Sequence, residues 1–134
     1  MIVVYTDGGS RGNPGPAGYG VRIETESGAP LTELQQSVGI ATNNVAEYKG
    51  LLAGLAWALE AGHRHVAVRS DSELLVRQMR GEYRVKHPGL QPLHAEACRL
   101  ARHIGHVTFE HVRREKNRDA DRLANQAMDD AARG

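Results

Sequence analysis

The sequence predicts an α/β fold in which a five-stranded mixed sheet is flanked by helices. Three strand-like segments come first and follow one another directly, which favours antiparallel neighbours. A long segment with helical periodicity comes next, and strand-like and helix-like segments then alternate to the end of the chain. Because such alternation is typical of parallel strands joined by helices, the two parts together indicate a mixed sheet.

The first three strands are predicted over residues 1–6, 18–26 and 31–39. The first is a short apolar run that ends at Asp7. In the second, tyrosine and aliphatic residues alternate with polar ones, as in a strand that is buried on one face. A Ser-Gly-Ala-Pro turn leads into the third, whose weaker alternation favours an edge strand.

A long helix is predicted over residues 43–61, because apolar side chains recur there at a helical period, at positions 45, 48, 52, 55 and 59. Gly62 ends this helix. The later elements are a strand at 65–70, a short helix at 72–79, a helix that opens from the turn at 87–93 and runs to about residue 103, a strand at 106–112 and a final helix at 119–132.

Length and composition indicate one globular domain over residues 1–134, without repeats or linkers. The net charge of +1 means that any basic surface for nucleic acid must be local. Cys98 is the only cysteine, so an intrachain disulfide is excluded and a reducing compartment is favoured. No apolar run approaches the roughly 18 residues of a membrane helix, and no secretion signal is recognisable. We therefore expect a cytoplasmic monomer without membrane contacts.

Four acidic residues are predicted to lie near the ends of elements. Asp7 and Asp71 end the first and fourth strands, and Glu47 and Asp121 lie in the first turns of two helices. Open α/β sheets place their sites at the carboxyl ends of strands. Clustered carboxylates repel one another unless cations neutralise them, and Mg²⁺ or Mn²⁺ suits oxygen ligands. Two such ions about 4 Å apart can activate a water and stabilise a leaving oxygen in phosphodiester cleavage.

Each acid also has a purely structural interpretation. Asp7 followed by two glycines is typical of a tight turn. Asn44 and Glu47 have the spacing of a capping box, Asp71 could cap the helix that follows it, and Asp121 suits the positive end of a helix dipole. No single acid indicates a metal site, and the hypothesis depends on the four occurring together.

Four segments, YTDGGSRGNPGPAGYG, TNNVAEY, RSDSELLVRQ and NRDADRLAN, resemble the type 1 ribonucleases H, especially the compact form found in bacteria and archaea. The resemblance covers residues 3–128 in the family's order. It implies the ribonuclease H fold and hydrolysis of the RNA strand of an RNA–DNA hybrid by two Mg²⁺ ions, or Mn²⁺ as the alternative, leaving 5′-phosphate and 3′-hydroxyl ends. The catalytic, metal-binding acids that it implies are Asp7, Glu47, Asp71 and Asp121.

The glycines after the first acid are predicted to bind substrate. Because they lack side chains, they would let a nucleic-acid backbone approach the amides and the metal, and a bulky residue at Gly8 or Gly9 would hold the scissile phosphate away. The backbone amides of Gly8, Gly9 and Ser10, with those of Asn43 and Asn44, are predicted to contact the 2′-hydroxyl groups that distinguish RNA from DNA.

Further substrate contacts follow from the resemblance alone. It places Asn13, Asn43 and Asn44 at substrate-contacting positions, and Thr42 at a pocket for a phosphate of the DNA strand. The alternative for Asn43 and Asn44 is helix capping, and one of them could serve both purposes.

A basic segment, RGEYRVKHPG, follows the short helix. Beside a nuclease site, Arg84 and Lys86 in this segment are predicted to bind the backbone of the DNA strand. The alternative is an ordinary solvated surface. Larger relatives carry a longer basic arm with tryptophans here, and its absence implies weaker binding of hybrid.

The loop before the last helix departs from the family. Many relatives have a histidine there that is thought to protonate or release the product, whereas this loop reads VRREKNRDAD. His111 lies on the preceding strand and does not match the histidine position. Arg114 is the predicted catalytic replacement. The alternatives are Glu115 or a step that needs no side chain.

Two other functions are compatible with this fold. A hybrid- or duplex-binding module without activity is disfavoured because binding alone does not need a cluster of four acids. A junction resolvase is disfavoured by the specific segments quoted above. The sequence is also consistent with one domain of a longer two-enzyme protein.

Overall fold

The computed structural model describes all residues from 1 to 134. Its strands are β1 (Ile2–Ser10), β2 (Gly15–Thr25), β3 (Pro30–Ala41), β4 (His65–Ser70) and β5 (His106–His111). They form one sheet in the order β3–β2–β1–β4–β5. The first three strands are antiparallel, whereas β1, β4 and β5 are parallel to one another. The predicted five-stranded mixed sheet is therefore confirmed.

The helices are α1 (Asn43–Glu60), α2 (Glu73–Met79), α3 (Gln91–Ile104) and α4 (Arg118–Arg133). Their order is the predicted one, and their bounds differ from the prediction by a few residues. The structure adds a short 3₁₀ turn at Arg114–Lys116 that the sequence did not predict. None of the helices combines the length and the apolar character that crossing a membrane requires.

The first strand does not end at Asp7, as the sequence predicted, but continues to Ser10. Gly8 and Gly9 remain extended because they pair with residues of β2. This pairing is a long-range contact that supports a strand where glycine alone would disfavour one.

The pairing that ends beside Asp7 is the parallel one with β4. Its last pair joins Thr6 to Ser70. Asp7 and Asp71 each follow this pair directly, so the two acids are neighbours at the edge where the strands separate. Asp71 therefore follows the end of β4, as predicted. Asp7 lies inside β1, at the point where the pairing of β1 with β4 ends.

Helices cover both faces of the sheet. On one face α1, α2 and α3 enclose the apolar core, and α1 comes close because Gly54 faces Val4 and Val21. On the other face α4 packs on β1, β2 and β3. A Cβ atom on Gly18 would lie 2.5 Å from Cβ of Ala127, so α4 contacts the backbone of β2 almost directly. These close approaches position the N-terminal turns of α1 and α4 beside the carboxyl ends of β1 and β4.

Candidate active site

Three carboxylates meet where β1 and β4 separate. One oxygen each from Asp7, Glu47 and Asp71 lies within 4.8 Å of the other two. Asp7 comes from β1, Glu47 from α1 and Asp71 from the residue after β4. Asp121, in the first turn of α4, lines the same cleft. The structure therefore brings the four predicted acids to one place, with three of them in closest contact.

The approach of Glu47 to Asp7 depends on a glycine between β1 and α1. A Cβ atom on Gly8 would lie 2.5 Å from the carbonyl carbon of Ala46 and 2.6 Å from the backbone nitrogen of Glu47. Because these distances are far below van der Waals contact, a side chain here would push α1 away from β1. Gly8 thus allows the helix to approach, and its proposed role in leaving room for the phosphate stays a prediction.

Neither Glu47 nor Asp71 takes part in capping a helix, so the structural interpretation of these two acids is wrong. Thr42 is the N-cap of α1 and Ser72 is the N-cap of α2, and each side chain accepts a hydrogen bond from a backbone N–H of its own helix. The sequence predicted Glu47 in the first turn of α1, but in the structure Glu47 lies beyond that turn. Since neither Glu47 nor Asp71 is needed as a cap, both carboxylates are available to a ligand.

Burial and mutual repulsion disfavour the ionised forms of the central acids. Burial, together with the nearby Asp71 and Asp121, raises the pKa of Asp7 from 3.8 to about 8. Burial, Asp7 and Asp71 raise the pKa of Glu47 well above its ordinary value. Glu47 Oε2 is also buried without a hydrogen-bond partner, which is costly for an acceptor. The cluster therefore lacks a compensating positive charge at its centre.

Two basic side chains border the outer part of the cluster. Burial raises the pKa of Asp71, and the charges of Arg114 and His111 oppose that shift. Arg114 Nη2 lies 3.8 Å from Oδ1 of Asp121, and the Arg114 side chain is 80% exposed. His111 Nε2 lies 3.3 Å from the carbonyl oxygen of Asp71. The structure thus places Arg114 at the cluster, as predicted, and places His111 there as well.

The chemistry of the cluster fits a divalent cation such as Mg²⁺ or Mn²⁺. All of its converging donor atoms are carboxylate oxygens, the ligands that hard cations prefer. A cation would relieve the repulsion among the acids and would give Glu47 Oε2 the partner that it lacks. Asp7, Glu47 and Asp71 would hold such an ion, and Asp121 would extend the site across the cleft.

The acids line an open cleft of about 580 Å³. Only two of its 15 lining residues are hydrophobic, so the cleft suits a polar or charged ligand. Four of the predicted substrate-binding residues line it, namely Gly8, Gly9, Ser10 and Asn43.

Hydrogen bonds within the protein engage much of the predicted substrate-binding backbone. Asn43 Oδ1 accepts from the backbone N–H of Ser10 at 2.8 Å and from the Ser10 hydroxyl at 3.2 Å. Asn13 Oδ1 accepts from the N–H of Asn43 at 3.0 Å, and the N–H of Gly8 donates to Oδ1 of Asp7 at 2.9 Å. Three of the five amides predicted to contact 2′-hydroxyl groups are therefore already engaged. With Oδ1 engaged, Asn43 offers its Nδ2 group to the cleft.

The remaining predicted contacts lie outside the lining of the cleft. Thr42 caps α1, which excludes Asn43 and Asn44 as caps, and Asn44 is exposed beside it. Arg84 and Lys86 are exposed between α2 and α3 and line no part of this cleft. Contacts from these two residues would need a substrate that extends beyond the cleft.

Sequence reasoning missed several residues that line the cleft, among them His111, Asn125 and Met128. His111 ends β5, and β5 lies parallel to β4, so both strands end at the sheet edge that holds Asp71. Asn125 and Met128 follow Asp121 by four and seven residues in α4, a spacing that places them on one helical face. These two signals, strand ends and helical spacing, could have identified all three.

The chain is similar to known proteins along nearly its whole length. A family model described as reverse transcriptase-like matches residues 5–127. The bifunctional protein Rv2228c of Mycobacterium tuberculosis is 52% identical over 132 residues, which are 98% of this chain and 36% of that protein. Ribonuclease HI of Halobacterium salinarum is 39% identical over 130 residues, which are 97% of this chain and 65% of that protein. The chain thus spans less than two thirds of the length of these relatives.

Solved structures share the whole fold. The N-terminal RNase H domain of Rv2228c matches with a TM-score of 0.96 and 51% identity, covering 98% of this chain and 96% of that one. LC11-RNase H1, solved in complex with an RNA/DNA hybrid, matches with a TM-score of 0.93 and 45% identity, covering 98% of this chain and 99% of that one. The sheet and its flanking helices therefore form the ribonuclease H fold, and the chain belongs to the type 1 ribonuclease H family.

Proposed function

We propose that this chain is a metal-dependent endoribonuclease that hydrolyses the RNA strand of RNA–DNA hybrids and leaves 5′-phosphate and 3′-hydroxyl ends. The observation that carries the proposal is the convergence of Asp7, Glu47 and Asp71 within 4.8 Å in a polar, open cleft. The relative solved with a hybrid supports the choice of substrate. Residues 1–134 would act as one catalytic domain and as a monomer, with Mg²⁺ or alternatively Mn²⁺.

In this reaction the protein would hold four carboxylates in fixed positions before the substrate binds. Two divalent cations held by these acids would supply activation of the attacking water and stabilisation of the leaving oxygen. Asp7 is fixed within β1, and Glu47 is fixed by the close packing of α1 at Gly8. Such preorganisation matters because the site then need not rearrange while charge develops on the phosphate.

Recognition of the RNA strand would use hydrogen-bond donors beside the acids. Asn43 Nδ2 is the open donor of a side chain whose other end is held by Ser10. A 2′-hydroxyl can accept from such a donor, and DNA has no equivalent group. Arg11 also lines the cleft, but its guanidinium pairs with Asp129 at 2.8 Å, so contact with a phosphate would require that exposed pair to open.

We expect the protein to cleave an RNA–DNA hybrid in Mg²⁺ or Mn²⁺ and to be inactive in EDTA, because without cations nothing activates the attacking water or stabilises the leaving oxygen. RNA duplex and single-stranded RNA should be poor substrates. A hybrid site with a single ribonucleotide in DNA should also be poor, since the proposed contacts involve more than one 2′-hydroxyl. The measurement is cleavage of labelled substrates under each condition, with end analysis of the products.

Two outcomes would contradict the proposal. Tight hybrid binding without cleavage in either metal would favour the non-catalytic binding module. Efficient cutting at a lone ribonucleotide would indicate a type 2-like activity and a different mode of recognition.

Arg114→Ala should lower kcat by about ten- to a hundredfold, the range for loss of one charge contact at a transition state or in product release. The physical reason is that the guanidinium of Arg114 lies 3.8 Å from Asp121, and its charge opposes the rise in the pKa of Asp71 that burial causes. Arginine stays protonated at working pH, so it would act through its fixed charge and not as a proton shuttle. The measurement is kcat at saturating metal and hybrid.

Two variants make the Arg114 experiment specific. Arg114→Lys keeps the charge and should recover part of the loss. Arg113→Ala removes an exposed arginine that does not line the cleft and should keep kcat near wild type. Wild-type kcat in Arg114→Ala would show that Arg114 is an ordinary solvated residue of the loop.

A further inference from the structure

A buried asparagine lies behind the acidic cluster. Asn117 is 1% exposed, although it precedes α4 in a stretch of exposed residues. Its Nδ2 group donates a hydrogen bond of 2.9 Å to the carbonyl oxygen of Thr6, the residue before Asp7. Asn117 therefore connects the start of α4 directly to the strand that carries Asp7.

The backbone of Asn117 contacts two further segments of the site. Its carbonyl oxygen accepts a hydrogen bond of 3.0 Å from the N–H of Asp121, and its own N–H donates to the carbonyl oxygen of Arg114 at 2.9 Å. Asn117 itself does not line the cleft. It thus lies outside the ligand space and joins segments that carry Asp7, Arg114 and Asp121.

The hydrogen bond from Asn117 to Thr6 lies at the point where β1 and β4 separate. Thr6 is fully buried and forms the last parallel pair of β1 with β4. Where β1 leaves its parallel partner, a buried carbonyl group needs another donor, because an unpaired one is costly. The Asn117 amide supplies that donor immediately before Asp7.

The hydrogen bonding of Asn117 indicates that this residue serves to connect α4 to β1 and adds little to the free energy of unfolding. Its Oδ1 atom is buried without a hydrogen-bond partner. A buried amide that is satisfied at only one end offers less stabilisation than its burial and size would suggest. An asparagine at this place is understandable if the position of α4 relative to β1 matters for the site.

We propose that Asn117 is a positioning residue that fixes Asp121 relative to Asp7 and thereby sets the affinity of the site for divalent cation. The inference rests on the proposed function, since it concerns the same acids. Without the bond to Thr6, the turn that leads into α4 would lose its direct connection to β1, and packing on β2 would be left to hold the start of the helix. Asp7, Glu47 and Asp71 would stay together, because β1, β4 and α1 hold them independently of Asn117.

The test compares the wild type with Asn117→Leu, which keeps a similar shape but has no donor, and with Asn117→Ala. Calorimetry would measure the Kd for Mn²⁺ without substrate, and hybrid cleavage would give the Mg²⁺ concentration for half-maximal rate. We expect both values to rise about tenfold, within the range for loss of a group that supports metal ligands. At saturating Mg²⁺ the rate should recover largely, because the acids themselves are unchanged.

A matched control is the buried hydrogen bond from Tyr48 Oη to Gln78 Oε1, at 2.6 Å. Both side chains are buried, and neither lines the cleft. Tyr48→Phe removes one buried hydrogen bond, as Asn117→Leu does, and should lower the melting temperature to a similar degree. Its Mn²⁺ affinity should equal that of the wild type.

The outcomes separate this inference from the proposed function. Cleavage by the wild type with unchanged Mn²⁺ affinity in both Asn117 variants would overturn the positioning role and leave the function standing. A wild type that neither binds Mn²⁺ nor cleaves hybrid would overturn both. If neither variant folds, Asn117 is a requirement of the fold as a whole, which also contradicts a role specific to the site.

Discussion

Asp7→Asn is expected to abolish cleavage of the RNA–DNA hybrid while the protein remains folded. Asp7 is the most buried of the four acids and shares the centre of the cluster with Glu47 and Asp71. An amide in its place offers a neutral oxygen and a donor group where a hard cation needs a charged oxygen ligand. We expect a loss of at least about a thousandfold in kcat, roughly 4 kcal/mol of transition-state stabilisation. Asp71→Asn should behave in the same way.

The same substitution should raise stability in EDTA. The pKa of Asp7 is about 8 in the folded protein against an ordinary 3.8, so above pH ~4 the unfolded chain has lost a proton that the folded protein keeps. The unfolded state then binds fewer protons, and the free energy of unfolding contributed by Asp7 falls as pH rises from about 4 to about 8. Asp7→Asn removes this loss, and we expect a melting temperature on the order of 5 °C higher at pH 8.

Two controls make the stability result specific. The difference in melting temperature between variant and wild type should disappear as the pH falls below about 4, where Asp7 becomes protonated in both the folded and the unfolded state, and it should shrink in Mg²⁺. Asp119→Asn alters a carboxylate in the same turn of α4 as Asp121 but outside the cleft, and it should leave kcat unchanged. Near-normal turnover by Asp7→Asn or Asp71→Asn would show that these acids are not the metal ligands.

Gly8→Ala is expected to lower both stability and activity strongly, although it adds only a methyl group. The new Cβ would lie 2.5–2.6 Å from backbone atoms of Ala46 and Glu47, which cannot rotate away as a side chain can. Relief requires α1 to move, at a cost of about 1–3 kcal/mol for overpacking. Because the movement separates Glu47 from Asp7, we also expect kcat to fall about a hundredfold. Thermal denaturation and hybrid cleavage would measure the two effects.

Gly9→Ala is the matched comparison for stability. Its Cβ would meet the flexible end of Met128 at 3.3 Å, a contact that a small side-chain movement relieves. Its melting temperature should therefore stay closer to the wild type than that of Gly8→Ala. Equal melting temperatures for Gly8→Ala and the wild type would contradict the packing explanation for Gly8.

Local patterns were sufficient to predict most of the secondary structure. The predicted helix at 43–61 and the strand at 65–70 agree closely with α1 and β4, because their apolar periodicity directly reflects which face is buried. The extension of β1 to Ser10 was missed because glycine disfavours strands locally, and only pairing with β2 supports them there. The short 3₁₀ turn at Arg114–Lys116 has no comparable periodic signal.

The fold class, the order of the elements and the family could be predicted from the sequence alone, and the same segments named the four acids that the fold brings to one cleft. These conclusions depend on short segments and on their order, which are properties of the chain alone. The tertiary structure decided that Gly8 lets α1 approach, that Asn43 and Asn13 engage the amides beside them, that His111 lies at Asp71 and that Asn117 joins α4 to β1. Each of these is a contact between residues distant in the chain, and sequence spacing does not specify how closely two packed elements approach.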